Sequence, residues 1–169
     1  MTRRRLVSTL LLFSWLPSFA ASAGEHGEDE TFSVRAGPGF TASPTTFLMG
    51  VDVPFAVTKN VALGPSFQLG VDDDTTFFAP TWNVEFRLPL EDVTPYAYGG
   101  AGLGYVKKDH RHGDDDDAGF LFDLGIGLDF WVSDEIALGS RMTFNFMPSD
   151  VEGETFIFSW QVLTGRFSF

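Results

Sequence analysis

The sequence predicts an all-β protein, an eight-stranded antiparallel up-and-down barrel that crosses a membrane. Three observations lead to this prediction. Apolar residues alternate with small or polar residues along most of the chain after residue 31, which is the period of a strand with one apolar face. There are eight such stretches, each close to the roughly 9–11 residues that a tilted membrane-spanning strand needs. The second face is rich in Gly, Ser, Ala and Thr, so it is a poor candidate for the hydrated surface of a water-soluble barrel.

Composition limits the function classes. The chain has 169 residues, 15% of them aromatic, with 19 Phe, no Cys and a formal net charge of −12. This length suits one domain, and the aromatic content argues against disorder. The lack of Cys excludes disulfides, thiolate metal sites and a cysteine nucleophile. The negative charge argues against a nucleic-acid partner, which would require clustered Lys and Arg.

The first 23 residues have the pattern of a cleaved signal peptide. Three consecutive arginines precede an apolar run from Leu6 to Leu16, and Ala-Ser-Ala ends at Ala23. This is the order of regions in a secretory signal, and the apolar run is too short to span a bilayer. We therefore expect an exported protein with an acidic N-terminal lead-in at residues 24–30 and the barrel at residues 31–169.

The first four strands show regular alternation. In each of them every second residue is apolar, and the residues between are mostly Ser, Gly, Asp, Gln, Glu or Arg. This pattern predicts one lipid-facing side and one interior side. The four predicted strands cover Phe32–Phe40, Phe47–Phe55, Val61–Val71 and Phe78–Leu88.

The last four strands are less uniform. The fifth, Pro95–Tyr105, is rich in Gly, and its facing is open; the sixth, Phe120–Phe130, is the clearest, with Leu124 predicted outside and Gly125 inside. The seventh covers Ile136–Phe146 and the eighth covers about Thr155–Phe169. In the eighth strand the apolar parity reverses after Val162. One extra residue reverses the facing of a strand, so a β-bulge is predicted near residues 162–165.

The connections fit this strand count. Tight turns are predicted at Val57–Asn60, Pro89–Thr94 and Val132–Glu135, and external loops are predicted at Thr41–Pro44, Asp72–Thr75, Val106–Ala118 and Met147–Glu154. The last two loops are longer and polar, as external loops of membrane barrels are. An even number of strands places both chain ends on the periplasmic side. Aromatic residues near strand ends predict interfacial girdles. They are Phe77, Phe78, Tyr96, Tyr98, Tyr105, Trp131, Phe156, Phe158 and Trp160.

Seven charged residues fall on the predicted interior face. They are Arg35, Asp52, Glu85, Arg87, Asp123, Asp129 and Arg141. Charges in a dry, narrow interior must pair, because an unpaired buried charge is costly, and eight strands leave an interior that side chains can fill. We expect this charge network to plug the interior; the alternative is a selective pore.

Two segments resemble a known family. Residues Thr94–Tyr105, TPYAYGGAGLGY, resemble the TPY-x-GAGxGY segment of OmpA-like and OmpX-like outer-membrane barrels. Leu163, Phe167 and Phe169 resemble the C-terminal signal that the barrel assembly machinery reads. The resemblance implies a place in the outer membrane of a Gram-negative cell. It implies contact with outer-membrane lipids, lipopolysaccharide, periplasmic chaperones and that machinery, and an extracellular partner of unknown kind.

The function that the resemblance implies is structural or surface-interactive: membrane integrity, adhesion or surface contact. A narrow channel for ions or small solutes is the first alternative, and a lipid-modifying enzyme is the second. Catalysis would need a base beside a hydroxyl nucleophile, yet His26, His110 and His112 all fall outside the predicted strands. No catalytic residue and no cofactor are therefore expected.

The histidines raise one further hypothesis. His110 and His112 would point to the same side of an extended backbone, and Asp114 could complete a divalent-metal site. The alternative is a hydrated charged loop, which charge runs usually form.

Overall fold

The computed structural model describes residues 32–110 and 113–169. The predicted signal peptide, the acidic lead-in, His26 and His112 lie outside these residues. Nine strand segments follow one another in this described part of the chain. They are β1 (Ser33–Ala42), β2 (Thr46–Asp52), β3 (Phe55–Thr58), β4 (Val61–Val71), β5 (Thr75–Arg87), β6 (Val93–His110), β7 (Gly113–Trp131), β8 (Ile136–Val151) and β9 (Glu154–Ser168).

The segments close into an eight-stranded antiparallel barrel. Apart from β2 and β3, each segment pairs with the next in sequence, and β1 pairs with β9 as well as with β2. Both β2 and β3 pair with β4, so they are two parts of one barrel strand that is interrupted at Val53 and Pro54. Proline has no N–H to contribute to a ladder. The predicted fold class is confirmed, and no helix in the described parts of the chain is long and apolar enough to cross a membrane.

The two faces of the barrel have the predicted orientation. Outward side chains are apolar and exposed, as Trp82 (59%) and Leu124 (57%) illustrate, whereas the inward Arg35 and Asp129 are fully buried. A water-soluble barrel would show the reverse. An apolar exterior suits hydrocarbon, and it places the polar side chains in the interior.

The predicted β-bulge is present in β9. Ala36 pairs with Gly165 and Gly39 pairs with Gln161. Between these two pairs, β9 therefore contains one residue more than β1. Val162 and Leu163, which are consecutive, are both exposed. The extra residue reverses the facing of the end of the strand, and it brings Arg166 into the interior.

Two predicted loops are strands instead. Most of Val106–Ala118 belongs to β6 and β7, which pair from Val93 and Phe130 out to His110 and Gly113. Met147–Glu154 contains the end of β8 and the start of β9. Lys107 lies opposite Asp116, and opposite charges at facing positions favour strand pairing. The polarity of these segments therefore does not indicate irregular backbone. The predicted short connections are confirmed near residues 59–60, 88–92 and 132–135.

The girdle prediction is wrong for several aromatic residues. Phe77, Tyr96 and Tyr98 are buried inside the barrel, and Trp131 turns inward to donate from Nε1 to Thr94 Oγ1 at 3.0 Å. Phe78 and Phe156 are exposed on the outer surface, in agreement with the prediction. The interior can accept the two tyrosine rings because the residues opposite them, Gly127 and Gly125, have no side chains.

Candidate functional site

Five charged residues meet at the end of the barrel that carries Phe32, Phe169 and the short turns. We call them the terminal charge cluster: Arg35, Glu85, Arg87, Asp129 and Arg166. Arg35 lies at the centre, donating from Nη1 to Glu85 Oε2 and from Nη2 to Asp129 Oδ2, both at 2.9 Å. These residues come from β1, β5, β7 and β9. The ion pairs of Arg35 therefore join β1 to β5 and β7, with which β1 does not pair.

Two further arginines complete the terminal charge cluster. Arg87 Nε donates to Glu85 Oε1 at 2.6 Å. Arg166 Nη1 donates to Asp129 Oδ2 at 3.1 Å, and its guanidinium lies 5.2 Å from the Trp131 ring centroid. The cluster thus holds three guanidinium groups and two carboxylates, and each carboxylate accepts from two different arginines. Charge-assisted hydrogen bonds of this kind are among the strongest in proteins.

Next to the terminal charge cluster, the barrel interior contains two tyrosine rings that pack over glycines. Tyr96 lies opposite Gly127 and Tyr98 lies opposite Gly125, and a Cβ on either glycine would overlap the ring of the tyrosine that covers it. The Arg35 guanidinium lies 4.2 Å from the Tyr96 ring centroid. A guanidinium over an aromatic face is electrostatically attracted to it. The Tyr-Ala-Tyr segment, which carried part of the family resemblance, thus supports the interior charges.

A second charged group lies next to the first, further into the barrel. Arg141 forms an ion pair with Asp52, and its guanidinium lies 3.7 Å from the Tyr98 ring centroid. Asp123 accepts from Thr81 Oγ1 at 2.9 Å. This group has two carboxylates and one guanidinium, so its charge balance is opposite to that of the terminal charge cluster.

All seven charged residues named from the sequence are buried inside the barrel. Six of them are in ion pairs with each other or with Arg166, and Asp123 is held by a threonine. Sequence reasoning missed Arg166. The predicted bulge contained the signal, because reversing the parity after residue 163 turns Arg166 inward. Among the described residues, the interior, with Arg166 included, carries four arginines against four carboxylates.

The rest of the interior is filled. A layer of uncharged polar residues follows, in which Gln68 Nε2 donates to Asn145 Oδ1 at 3.1 Å and Asn145 Nδ2 donates to Ser159 Oγ at 3.0 Å. At the opposite end of the barrel lies an apolar mouth cluster. It consists of Phe77, Ala79, Val106, Leu121, Met147, Val151 and Ile157. The cavity beside Asp52 and Asn83 has a volume of only about 10 Å³, roughly the space of one water molecule.

The other predicted site residues lie elsewhere. Leu163, Phe167 and Phe169 are exposed on the outer surface near the chain end. The backbones of His110 and Asp114 belong to the far ends of β6 and β7, but their side chains, like His112, lie outside the described part of the protein. Within the described part, no group of three His, Cys, Asp or Glu residues could hold a metal ion.

Comparison with known proteins identifies the fold. No family model matches the sequence, and no curated protein matches it. Among solved structures, the N-terminal β-barrel domain of Pseudomonas aeruginosa OprF is similar, with a TM-score of 0.69 and 12% identity over 82% of this chain and 96% of that one. Neisserial surface protein A gives a TM-score of 0.67 and 11% identity, over 82% and 96% of the two chains.

A third similar structure is Ail, the attachment invasion locus protein of Yersinia pestis, in complex with the heparin analogue sucrose octasulfate. Its TM-score is 0.58, with 15% identity over 81% of this chain and 96% of that one. At these identities the likeness concerns the fold alone. The chain has the fold of the small eight-stranded outer-membrane β-barrels.

Proposed function

We propose that this protein is an outer-membrane barrel with a structural and surface-contact role, without catalysis and with a closed interior. The strands cross the membrane, and an extended hairpin presents a charged surface outside it. The observation that carries the proposal is the length of β6 and β7, which have 18 and 19 residues.

The outer surface supports a membrane location. Its exposed side chains include Phe47, Trp82, Phe86, Leu124 and Ile126, which form an apolar surface around the barrel. Monomeric soluble proteins rarely expose so continuous an apolar area, whereas a bilayer would cover it. With export by the predicted signal peptide, the outer membrane follows as the location, with both chain ends on the periplasmic side.

The hairpin of β6 and β7 extends beyond this apolar surface. The outward pair Leu103 and Phe120 is apolar, but the outward pair Lys107 and Asp116 is charged. Since a tilted strand crosses hydrocarbon with about 9–11 residues, the outer part of both strands lies in the headgroups or in water. Lys108 Nζ also donates to Glu152 O at 2.7 Å and to Glu154 Oε1 at 2.8 Å. This hairpin is therefore held to the turn of β8 and β9, and the two form one projecting surface.

The composition of this surface favours a charged partner. Lys107 could meet lipopolysaccharide phosphates, and Asp116 and Asp117 could meet them through bridging divalent ions. Asp72–Asp74 in the neighbouring turn would add to that bridging. An extracellular partner outside the membrane would contact the same projecting surface.

The test shortens the hairpin. Residues 107–116 are replaced by Asn-Gly, a two-residue turn that suits a tight hairpin. The variant should still fold as a heat-modifiable barrel, but cells that carry it should lose attachment to surfaces or to neighbouring cells. The matched control keeps the hairpin length and changes only charge, as Asp116→Asn with Asp117→Asn; a graded loss of attachment is expected. Full attachment by the shortened variant would contradict the proposal.

A second measurement addresses the interior. The filled interior predicts that the purified protein shows no steady conductance in a planar bilayer. Steady single-channel current from the wild type would favour the channel alternative.

A further inference from the structure

We propose that residues 147–151 of β8 form a lid over the apolar end of the barrel interior, and that this lid opens while the rest of the barrel stays folded. We call these residues the mouth strap. The strap contributes Met147 and Val151 to the apolar mouth cluster, which closes the interior beyond the polar layer of Gln68 and Asn145. Opening of the strap gives small solutes access to that layer, and ionic strength controls the opening through Lys108.

The mouth strap lies outside the regular ladders of the barrel. The pairing of β7 with β8 ends at Phe122 and Phe146. The register of β8 with β9 is interrupted after Phe146 and resumes where Val151 pairs with Glu154. Residues 147–150 can therefore move without breaking the strand pairs that close the barrel. Segments of this kind open at a lower free energy than the whole protein.

Two facing glycines make room for the mouth strap. Gly104 of β6 pairs with Gly119 of β7, next to the fully buried Met147 and Val151. A Cβ on Gly104 would lie 2.7 Å from Met147 Sδ. A Cβ on Gly119 would lie 2.5 Å from Val151 Cγ2. Nonbonded carbon atoms pack at about 3.5–4.0 Å, so the strap fits closely because these two residues have no side chains.

Lys108 adds a polar contact that holds the mouth strap closed. Its Nζ donates to Glu152 O at 2.7 Å and to Glu154 Oε1 at 2.8 Å, which fixes the turn directly after the strap to the outer part of β6. The side chains of Lys108 and Glu154 are 25% and 19% exposed. Salt screens the attraction between charges that water reaches. Higher ionic strength therefore weakens this contact and favours opening.

Methionine oxidation measures the opening in the wild-type protein. Hydrogen peroxide transfers one oxygen atom to an accessible methionine Sδ, which becomes a sulfoxide, and leaves as water. Met147 is buried, whereas Met49 is 43% exposed on the outer surface and serves as the internal reference. Peptide mass spectrometry of the whole protein in detergent should show measurable oxidation of Met147 that is slower than that of Met49. Relative to Met49, the rate at Met147 should rise with sodium chloride.

Two results of this measurement would overturn the proposal. Complete protection of Met147 in the folded protein would show that the mouth strap does not open. A rate at Met147 that does not respond to salt would show that the Lys108 contact does not control the opening.

The urea dependence of this rate distinguishes opening of the mouth strap from unfolding of the whole barrel. The effect of urea on an opening step scales with the surface that the step exposes, and the strap exposes little. Below the unfolding transition, the rate at Met147 should therefore change little with urea. A dependence as steep as that of global unfolding would show that strap and barrel open together, and it would overturn the proposal.

A first variant tests the contact of Lys108. Lys108→Ala should raise the oxidation rate of Met147 at low salt by up to about fivefold, because a partly exposed ion pair contributes at most about 1 kcal/mol. The rate should then no longer depend on salt. Lys107→Ala is the matched control, since Lys107 lies on the opposite face of the same strand, across from Asp116; it should leave the rate unchanged. Equal rates in the two variants would overturn the role of Lys108.

A second variant tests the fit of the mouth strap. Gly119→Ala places a methyl group against Val151 and Ser149, so it should displace the strap and raise the rate at Met147. The response to salt should persist, because Lys108 is intact. A rate equal to that of the wild type would contradict the close fit of the strap over the two glycines.

Discussion

The two ends of the barrel interior are closed by different chemistry. At the end with the short turns, Arg35, Glu85 and Asp129 form a buried network of charges. At the end with the long hairpins, Met147, Leu121 and Val151 belong to a purely apolar cluster. Both ends are filled by buried side chains, but one is held by directional bonds and the other by non-directional contacts.

The difference follows the regularity of strand pairing at each end. Hydrogen bonds between charged groups need fixed distances and angles. Short turns and the pairing of Phe32 with Phe169 fix the strands at the terminal end. At the other end β8 carries three extra residues between Phe146 and Val151 relative to β9. Apolar contact depends on area rather than direction, so it can close an end whose backbone is less regular.

The largest expected effect comes from the centre of the terminal charge cluster. Arg35→Met removes a partner from both Glu85 and Asp129, and breaking a buried pair in this way costs about 3–5 kcal/mol. Urea unfolding in lipid vesicles measures the change in the free energy of unfolding. The double variant Arg35→Met with Glu85→Gln should recover part of the loss. A loss below about 1 kcal/mol for the single variant would mean that the network is hydrated.

A somewhat smaller effect is expected at the apolar mouth cluster. Met147→Ala should lower the free energy of unfolding by about 2–3 kcal/mol, because it leaves a cavity among Leu121 and its neighbours. Met142→Ala is the matched control, since Met142 is an outward side chain of the same strand, half-buried against its neighbours. Equal losses at the two positions would show that the mouth is not packed as a core.

The contact between the interior tyrosines and the glycines opposite them can be tested by adding a methyl group to one glycine. Gly125→Ala would place a methyl group against the Tyr98 ring and should cost about 1–3 kcal/mol. The Tyr98 ring contacts the Arg141 guanidinium, so a displaced ring should also weaken the ion pair between Arg141 and Asp52. Gly165→Ala is the control, because the nearest atom to its added Cβ is 3.9 Å away. A variant at Gly125 as stable as this control would argue against the ring contact.

The smallest effect is expected for the projecting hairpin. Lys108 and Glu154 form a partly exposed pair at 2.8 Å, and such pairs contribute at most about 1 kcal/mol. Lys108→Met should therefore change the free energy of unfolding little, and less still in high salt, which screens exposed charges. The Arg35→Met loss should persist in high salt because that network is buried. A salt-independent loss at Lys108 would show that the hairpin pair is buried as well.

Much of the fold could be predicted from residue patterns. Alternation fixed which residues face lipid, as Leu124 and Gly125 show, and the parity reversal in β9 located its bulge. The girdle prediction is wrong for Tyr96 and Tyr98, because in a glycine-rich strand the residue pattern does not distinguish the two faces. Their inward facing depends on Gly125 and Gly127, which belong to the next strand. The inner parts of β6 and β7 are predicted as strands, but their outer part is predicted as a loop. Polar residues indicate exposure to water and do not distinguish a loop from an exposed strand.

By itself, the sequence determined the order of strands, the apolar exterior and the small, charged interior face. Successive side chains of a strand point to opposite faces, so alternation along the sequence shows which residues share a face. Only the tertiary structure decided which charges meet. Arg35 is 50 residues from Glu85 and 94 from Asp129, and closure of the sheet sets these distances through the register of every strand between them. Local pattern reports the environment of each residue, but a contact across the barrel depends on the whole ring of strands.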